Sequence, residues 1–136
     1  MIQPTSAIGM KTILYTTYED AIDRTKTALK ANGFGILTEI NIKDTFKAKI
    51  DVDFRPYMIL GACNPKLAYR ALSVSADIGL MLPCNVTVSQ VGEGQIEVSI
   101  IDPIMMMRVV DHPDLPAIAQ DAKALLQKTL DMLNAG

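Results

Sequence analysis

The fold is decided by the stretch Leu60-Gly61-Ala62-Cys63-Asn64-Pro65-Lys66-Leu67-Ala68-Tyr69. Its apolar first part is typical of a strand, whereas Asn is a favoured helix N-cap and Pro is favoured at the first helical position. We therefore expect a strand that ends at Cys63 and a helix that starts within two residues. Because Tyr57 to Ala62 is apolar on both alternations, the pattern favours burial of this strand on both faces.

A second segment, Leu80-Met81-Leu82-Pro83-Cys84-Asn85-Val86-Thr87-Val88, has similar local chemistry. In both segments an apolar run precedes a cysteine, an asparagine follows it directly, and the chain has only these two cysteines. We expect Leu80 to Val91 to be extended, with Pro83 at the strand entrance, where a missing N–H is tolerated. The two thiols are therefore expected at two junctions of similar sequence.

The remaining elements follow from periodicity and from turn residues. A helix is predicted after the N-cap Thr17 and is expected to stop at Gly33. Residues 34–42 alternate with period two, which predicts a strand with one buried face, and Gly92-Glu93-Gly94 connects the two strands of a hairpin. Asp114 is expected to cap a last helix, whose long apolar stripe predicts that it covers a face of the sheet.

The predicted order is strand, helix, strand, short helix, strand, helix, strand, strand, helix. Such an order lacks the strict alternation of a doubly wound parallel sheet and ends in an antiparallel pair. It predicts an α+β fold with a twisted, largely antiparallel sheet of about five strands and the helices packed mainly on one face. Residues 1–10 are predicted to be an N-terminal tail, residues 11–136 a single α+β domain, and residues 104–110 a methionine-rich linker or bulge region within it.

Composition limits the classes of function. The 136 residues are 49% hydrophobic and 21% charged, which is typical of a soluble globular protein and argues against disorder. A net charge of −2 gives no global electrostatic reason to bind nucleic acid or an anionic membrane. Residues 1–10 lack the features of a secretory signal, and no apolar stretch is long enough to span a membrane. We therefore predict a cytoplasmic protein with two reduced cysteines and with no nucleic-acid or membrane partner.

The two cysteines are the most chemical feature of the sequence. Cys63 precedes a helix N-terminus, where the free N–H groups and the macrodipole favour an anion, so we expect its pKa to be lowered and its thiolate to be the more reactive one. Cys84 has no neighbour in the sequence that would activate it. If their strands are adjacent, the two thiols and the asparagines Asn64 and Asn85 could line a pocket at one end of the sheet, where a reversible disulfide, persulfide chemistry or soft-metal binding is open to them.

A structural interpretation competes with this one, because free cysteine is among the most buried residue types and packs as a small hydrophobe. The only histidine, His112, is interpreted as a loop residue, and Met105-Met106-Met107 as flexible filler under a loop. The sequence contains no nucleophile–base arrangement, phosphate loop or metal-ligand cluster, and it indicates no cofactor. It therefore predicts no catalytic residues, and a binding protein rather than an enzyme.

Several short motifs resemble the domain of unknown function 302 family. They are Asp53-Phe54-Arg55-Pro56-Tyr57, Ile59-Leu60-Gly61-Ala62-Cys63-Asn64-Pro65, Leu82-Pro83-Cys84-Asn85-Val86 and Asp102-Pro103, with Thr38-Glu39-Ile40 in the second strand. The resemblance covers about residues 11–133. It implies a TATA-binding-protein-like α+β fold, small prokaryotic cytoplasmic proteins that are frequently homodimers, and no established enzymatic activity.

Three hypotheses of function follow. The first is binding of a small molecule or a sulfur species in a sheet-end pocket around Cys63, Asn64, Cys84 and Asn85. The second is a homodimeric interaction module without chemistry, in which a sheet edge or the C-terminal helix forms the contact. The third is soft-metal binding through thiolate and thioether ligands.

Overall fold

The computed structural model describes residues 2–3 and 8–135. Its strands are β1 (Ile2–Gln3), β2 (Gly9–Leu14), β3 (Gly35–Asn41), β4 (Tyr57–Cys63), β5 (Cys84–Gly92) and β6 (Gln95–Ile101). Its helices are α1 (Tyr18–Ala31), α2 (Ile42–Ile50), α3 (Pro65–Val74), α4 (Pro103–Met107) and α5 (Leu115–Ala135), and a 3-10 helix covers Ala76–Met81.

The six strands form one sheet in the order β1-β2-β6-β5-β4-β3, and every neighbouring pair is antiparallel. The predicted α+β fold with a largely antiparallel sheet is thus confirmed. The sixth strand, β1, is only two residues long and pairs with Lys11 and Thr12 of β2. In the centre of the sheet β4 lies beside β5, with Ala62 opposite Cys84.

Helices α1 and α5 pack against one face of the sheet, as predicted. The inward-facing residues of the strands and of the two helices form one core. They face the same side because side chains alternate along a strand and recur about every 3.6 residues along a helix. This core contains Met10, Leu14, Ala21, Ala28, Leu29, Phe34, Leu60, Ala62, Val86, Val88, Ile96, Val98, Ile100, Leu126, Leu130 and Leu133. A second, smaller core joins α3, the 3-10 helix, α4 and α5 through Ala71, Ile78, Met107, Leu115, Ile118 and Ala119.

Strand β3 departs from the prediction of one buried face. A bulge between Ile36 and Thr38 shifts the register against β4, so that Ile36 lies opposite Ala62 but Thr38 lies opposite Gly61. Since one extra residue turns the following side chains to the other face, the expected buried stripe is split in two. Ile36 packs against the helix-side core, whereas Ile40 is 44% exposed.

Strand β4 is buried on both faces only in its centre. Leu60, Gly61 and Ala62 are buried, whereas Tyr57, Met58 and Ile59 are half-buried. A Cβ atom on Gly61 would collide with the Thr38 hydroxyl and would lie 2.7 Å from Cγ of Pro83. Glycine is therefore required at this position by the close approach of its neighbours from β3 and from the start of β5.

Two segments that the sequence predicts to be non-helical are helical. The start of the expected strand at Leu80 belongs to the 3-10 helix, which Ser75 caps through the N–H of Asp77, so that β5 begins only at Cys84. The expected linker at residues 104–110 contains α4, because Asp102 accepts a hydrogen bond from the N–H of Ile104 and Pro103 occupies the first turn. At the other end of the chain β2 begins at Gly9, two residues before the expected Lys11, since Gly9 pairs with Ile101.

Candidate functional site

The junction between β4 and α3 has the geometry that its sequence predicts. Cys63 is the last residue of β4, and Asn64 is the N-cap of α3 in an extended conformation. The Asn64 Oδ1 accepts a hydrogen bond from the Leu67 N–H at 3.2 Å, and Pro65 opens the helix. The Asn-Pro pair therefore turns the chain from the sheet into the helix layer directly after the first thiol.

The second thiol lies at the neighbouring strand end. Cys84 is the first residue of β5 and is paired with Ala62, so it occupies the position next to Cys63 across the two strands. Both cysteines line one cleft of about 20 Å³ under α3 and α5. Apart from Cys63, Asn64 and Cys84, its walls are apolar: Phe34, Ala62, Leu67, Ala68, Ala71, Leu82, Met107 and Ala122.

The structure brings together three of the four predicted site residues. Cys63, Asn64 and Cys84 share the cleft, whereas Asn85 is exposed and lies opposite Gly61. Because consecutive residues of a strand point to opposite faces, Asn85 faces away from the helix layer towards which Cys84 points. The similarity of the two Cys-Asn dipeptides does not place their side chains in the same surroundings.

Both thiols are stabilised in the protonated form. Burial raises the pKa of Cys63 above its ordinary value. Burial, and secondly the negative charge of an ionised Cys63, raise the pKa of Cys84 to about 11. The direction at Cys63 is opposite to the lowered pKa that its place before a helix predicts, because desolvation by burial disfavours the thiolate.

The two thiols nevertheless differ in access. Cys63 is half-buried at the end of its strand, whereas Cys84 is 8% exposed. Cys63 is therefore the thiol more open to a reagent from solvent. Burial also disfavours its thiolate less, because only the pKa of Cys84 is raised to about 11. We therefore still expect Cys63 to be the more reactive thiol, on the ground of its exposure and not of activation by the helix.

One wall residue was missed by the sequence analysis. Met107, at the end of α4, is 6% exposed and lines the same cleft as the two thiols. The signal that would have found it is the Asp102-Pro103 pair, which has the same cap-and-proline chemistry as Asn64-Pro65. Two thiols and one thioether therefore surround a single small cleft.

A larger cavity lies on the other side of Met107. It measures about 340 Å³, opens to solvent and is lined by α4, the loop that follows and the start of α5. His112 lines it, and its Nδ1 accepts a hydrogen bond from the Asp114 N–H at 3.1 Å. The interpretation of His112 as a loop residue agrees with its position, but the cavity beside it gave no signal in the sequence.

The other polar residues of the short motifs have structural partners. Arg55 Nε donates to Ser89 Oγ at 3.0 Å, and its guanidinium lies over the rings of Phe54 and Tyr57. Asp102 is buried and accepts hydrogen bonds from Lys123 Nζ at 3.0 Å and from the Ile104 N–H at 2.9 Å. These residues fix the sheet and the α4–α5 contact and do not face the thiol cleft.

Over residues 2–3 and 8–135, no group of three or more His, Cys, Asp or Glu side chains has a metal-binding arrangement. Within the same part of the chain, no helix combines the length and apolar character needed to cross a membrane.

Comparison with known proteins gives a consistent result. A family model described as "Domain of unknown function DUF302" matches residues 10–133. Among solved structures the chain is similar to an uncharacterized conserved protein DUF302 from Bacillus stearothermophilus, with 30% sequence identity and a TM-score of 0.84. The match covers 92% of this chain and 97% of that one. No curated protein matches the chain.

Proposed function

We propose, from the premise that this chain belongs to the DUF302 family, that it carries a single sulfur atom as a persulfide on Cys63. The observation that supports this function is the cleft itself, because both cysteines line a space of about 20 Å³. A space of that size accommodates about one water-sized guest. Pockets for organic ligands measure roughly 300–1,000 Å³, so the cleft suits an atom and excludes an organic molecule.

The walls of the cleft also favour sulfur. They are apolar, and burial raises the pKa of both thiols, so the surroundings oppose charge and accept a neutral, polarizable guest. A terminal persulfide sulfur is polarizable and, in its protonated form, neutral, and the protonated Cys84 thiol is a weak hydrogen-bond donor towards it. Cys84 therefore acts as a neighbour of the carried sulfur and not as the attacking group.

The loading step requires a low-molecular-weight persulfide as co-reactant. The Cys63 thiolate attacks the terminal sulfur of the donor R–S–SH, a new S–S bond forms to Cys63, and the donor S–S bond breaks. The donor leaves as the thiolate R–S⁻, and the proton that Cys63 lost is returned to solvent. No net oxidation occurs, because the sulfane sulfur passes from one thiol to another.

The test is intact-mass spectrometry of the reduced protein after incubation with a small persulfide. We expect the folded wild type to gain the mass of one sulfur atom, reversibly with dithiothreitol, and the Cys84→Ser variant to gain it as well. The matched Cys63→Ser variant should gain none. Absence of the adduct in the folded wild type, or its appearance only in denaturant, contradicts the proposal.

Soft-metal binding is a second candidate, because Met107 places a thioether beside the two thiols. Thiolate and thioether ligands select Cu(I). Metal binding requires deprotonated cysteines, and the pKa of about 11 at Cys84 opposes this, whereas persulfide formation needs only Cys63. Stoichiometric Cu(I) uptake that is lost in both Cys63→Ala and Met107→Leu would favour the metal, and uptake unaffected by Met107→Leu would exclude this ligand set.

The homodimer is a third candidate, supported by strand β3. It is the last strand in the sheet order, and among the described residues it pairs only with β4, while Leu37 is 64% exposed. An exposed edge with apolar side chains favours pairing with the same edge of a second copy across a twofold axis. The C-terminal helix is less suitable, since its apolar stripe is buried in the core.

Light scattering tests the dimer directly. We expect twice the mass of one chain at micromolar concentration and a monomer for Leu37→Lys. The matched control is Leu80→Lys, because Leu80 is 87% exposed on the 3-10 helix, away from β3. A monomeric wild type would exclude the dimer. An equal effect of both variants would exclude β3 as the dimer interface.

A further inference from the structure

The 340 Å³ cavity beyond Met107 is outside the thiol cleft and has a different chemical character. Its volume lies within the range of small-molecule sites. Its floor consists of buried apolar side chains from α4 and α5, with Met107, Leu115 and Ala119 at 6%, 1% and 2% exposure. A ligand in this cavity therefore places an apolar group against the second core.

The rim of the cavity carries two opposite charges. Arg108 and Asp111 both line it, and neither takes part in any salt bridge within the described part of the chain. The Arg108 guanidinium contacts Sδ of Met105, at 3.9 Å. The two side chains therefore leave one cation and one anion available at the mouth of the same apolar cavity.

His112 adds a hydrogen-bond donor to this rim. Its Nδ1 accepts from the Asp114 N–H, so in the neutral ring the proton is on Nε2, which is left to donate. The remaining polar residue that lines the cavity, Gln120, supplies an uncharged amide. The charged groups on the cavity are thus Arg108, Asp111 and, when protonated, His112.

We propose that this cavity binds an α-amino acid with an apolar side chain. The apolar floor takes the side chain, Arg108 binds the carboxylate with charge-assisted hydrogen bonds, and Asp111 accepts from the ammonium group. A ligand with only a carboxylate would leave Asp111 beside its negative charge, and a ligand with only an amine would leave Arg108 beside its positive charge. A zwitterion complements both side chains at once, which is why the observations favour it over either simpler class.

Isothermal titration calorimetry with three matched probes tests the proposal. The probes are L-phenylalanine, 3-phenylpropionate, which lacks the amine, and 2-phenylethylamine, which lacks the carboxylate. We expect L-phenylalanine to bind the wild type most tightly. Arg108→Gln should weaken L-phenylalanine and 3-phenylpropionate about tenfold and leave 2-phenylethylamine unchanged, since a hydrogen bond to a charged group contributes about one factor of ten or more.

The second variant, Asp111→Asn, should give the reverse pattern, weakening L-phenylalanine and 2-phenylethylamine by a similar factor and sparing 3-phenylpropionate. Both changes are at the cavity rim and preserve side-chain size approximately. Lys49→Gln is the control for net charge, because Lys49 is an exposed cation on α2, which does not line the cavity. Thermal unfolding of each variant confirms that the comparison is between folded proteins.

The outcomes are decisive in either direction. Probe-specific losses in Arg108→Gln and Asp111→Asn support the amino-acid site. No binding of L-phenylalanine at millimolar concentration, or equal effects of each variant on all three probes, overturns it. The proposal does not depend on the persulfide, because the Cys63→Ser variant retains every residue of this cavity and should bind L-phenylalanine as the wild type does.

Discussion

The two Cys-Asn junctions have similar sequences and different structures. At Cys63 the chain leaves the sheet and enters α3, whereas at Cys84 it leaves a 3-10 helix and enters β5. Whether the chain leaves or enters the sheet determines the role of the asparagine. Asn64 follows the strand and caps a helix, whereas Asn85 already lies within a strand and faces away from the cleft.

The same difference in direction decides the chemistry of each thiol. Cys84 is held in the pleat of β5 on the side of the helix layer, so it is buried and its pKa is raised to about 11. Cys63 stands at the end of β4, where the chain is already turning away, and it remains half-buried. The element that follows each Cys-Asn pair therefore determines the exposure of the thiol and its pKa, which the short motif alone does not specify.

The largest expected difference between the junctions is in alkylation. In native protein at pH 7.5, iodoacetamide should modify Cys63 at least about a hundredfold faster than Cys84, because Cys84 is buried and has the more strongly raised pKa. Peptide mass spectrometry over time measures both rates in one sample. Equal rates in the folded protein, together with equal rates in urea, would show that the structural distinction between the thiols is wrong.

A substitution at Gly61 should affect both junctions together. Gly61 lies on β4 between Thr38 and the start of β5, and a Cβ atom there meets the Thr38 hydroxyl and the Pro83 ring. Gly61→Ala should therefore lower the free energy of unfolding by about 2–3 kcal/mol, as overpacking does in well-packed cores. Urea denaturation measures this loss.

The matched control for Gly61 is Gly35→Ala. Gly35 lies opposite Cys63, and a Cβ atom there meets its nearest neighbour, the Cys63 carbonyl oxygen, at 3.9 Å, which is an ordinary contact. This variant should change stability by less than about 1 kcal/mol. If both alanine variants are equally stable, the close packing above Gly61 is not what holds the two junctions together.

The alkaline stability of the protein should report on Cys84. Its folded-state pKa of about 11 is above the ordinary value of 9.0, so the folded state holds the thiol proton more tightly than the unfolded state. The resulting stabilisation is fully present below pH 9 and is lost as the pH rises to about 11. Two pKa units correspond to roughly 3 kcal/mol as an upper bound.

Other groups also titrate above pH 9, so the measurement is a difference between variants. Unfolding free energies at pH 8 and pH 11 should fall more steeply for the wild type than for Cys84→Ala. Cys63→Ala should resemble the wild type more closely, because the pKa of Cys63 is raised less than that of Cys84. Parallel pH profiles for all three proteins would contradict the raised pKa at Cys84.

The sequence predicts those parts of the fold that depend on local chemistry. The Asn64-Pro65 cap, the Gly92-Glu93-Gly94 connection and the apolar stripe of α5 are each specified by adjacent or periodically spaced residues, and each is found where it was expected. The α+β class follows from the order of these elements. None of these predictions required knowledge of a contact distant in sequence.

The features that escaped prediction depend on contacts distant in sequence. The bulge after Ile36 becomes visible only through its register against β4, and an apolar run such as Leu80–Leu82 fits a 3-10 helix as well as a strand. The positions of Met107 and Asn85 relative to the cleft escaped prediction for the same reason. Met107 and Cys84 line the same cleft because α4 packs against α5, and no motif specifies that packing.

The smallest predicted effect is the difference in stability between alanine variants of the two asparagines. Asn64→Ala removes the side-chain oxygen that accepts the Leu67 N–H, so it should lower the free energy of unfolding by about 1 kcal/mol, the usual contribution of an N-cap. Asn85→Ala removes an exposed side chain within β5 and should change it by less than about 0.5 kcal/mol. Urea denaturation of the two variants measures both changes. Equal stabilities of the two variants would mean that the helix after Asn64 does not distinguish the two junctions.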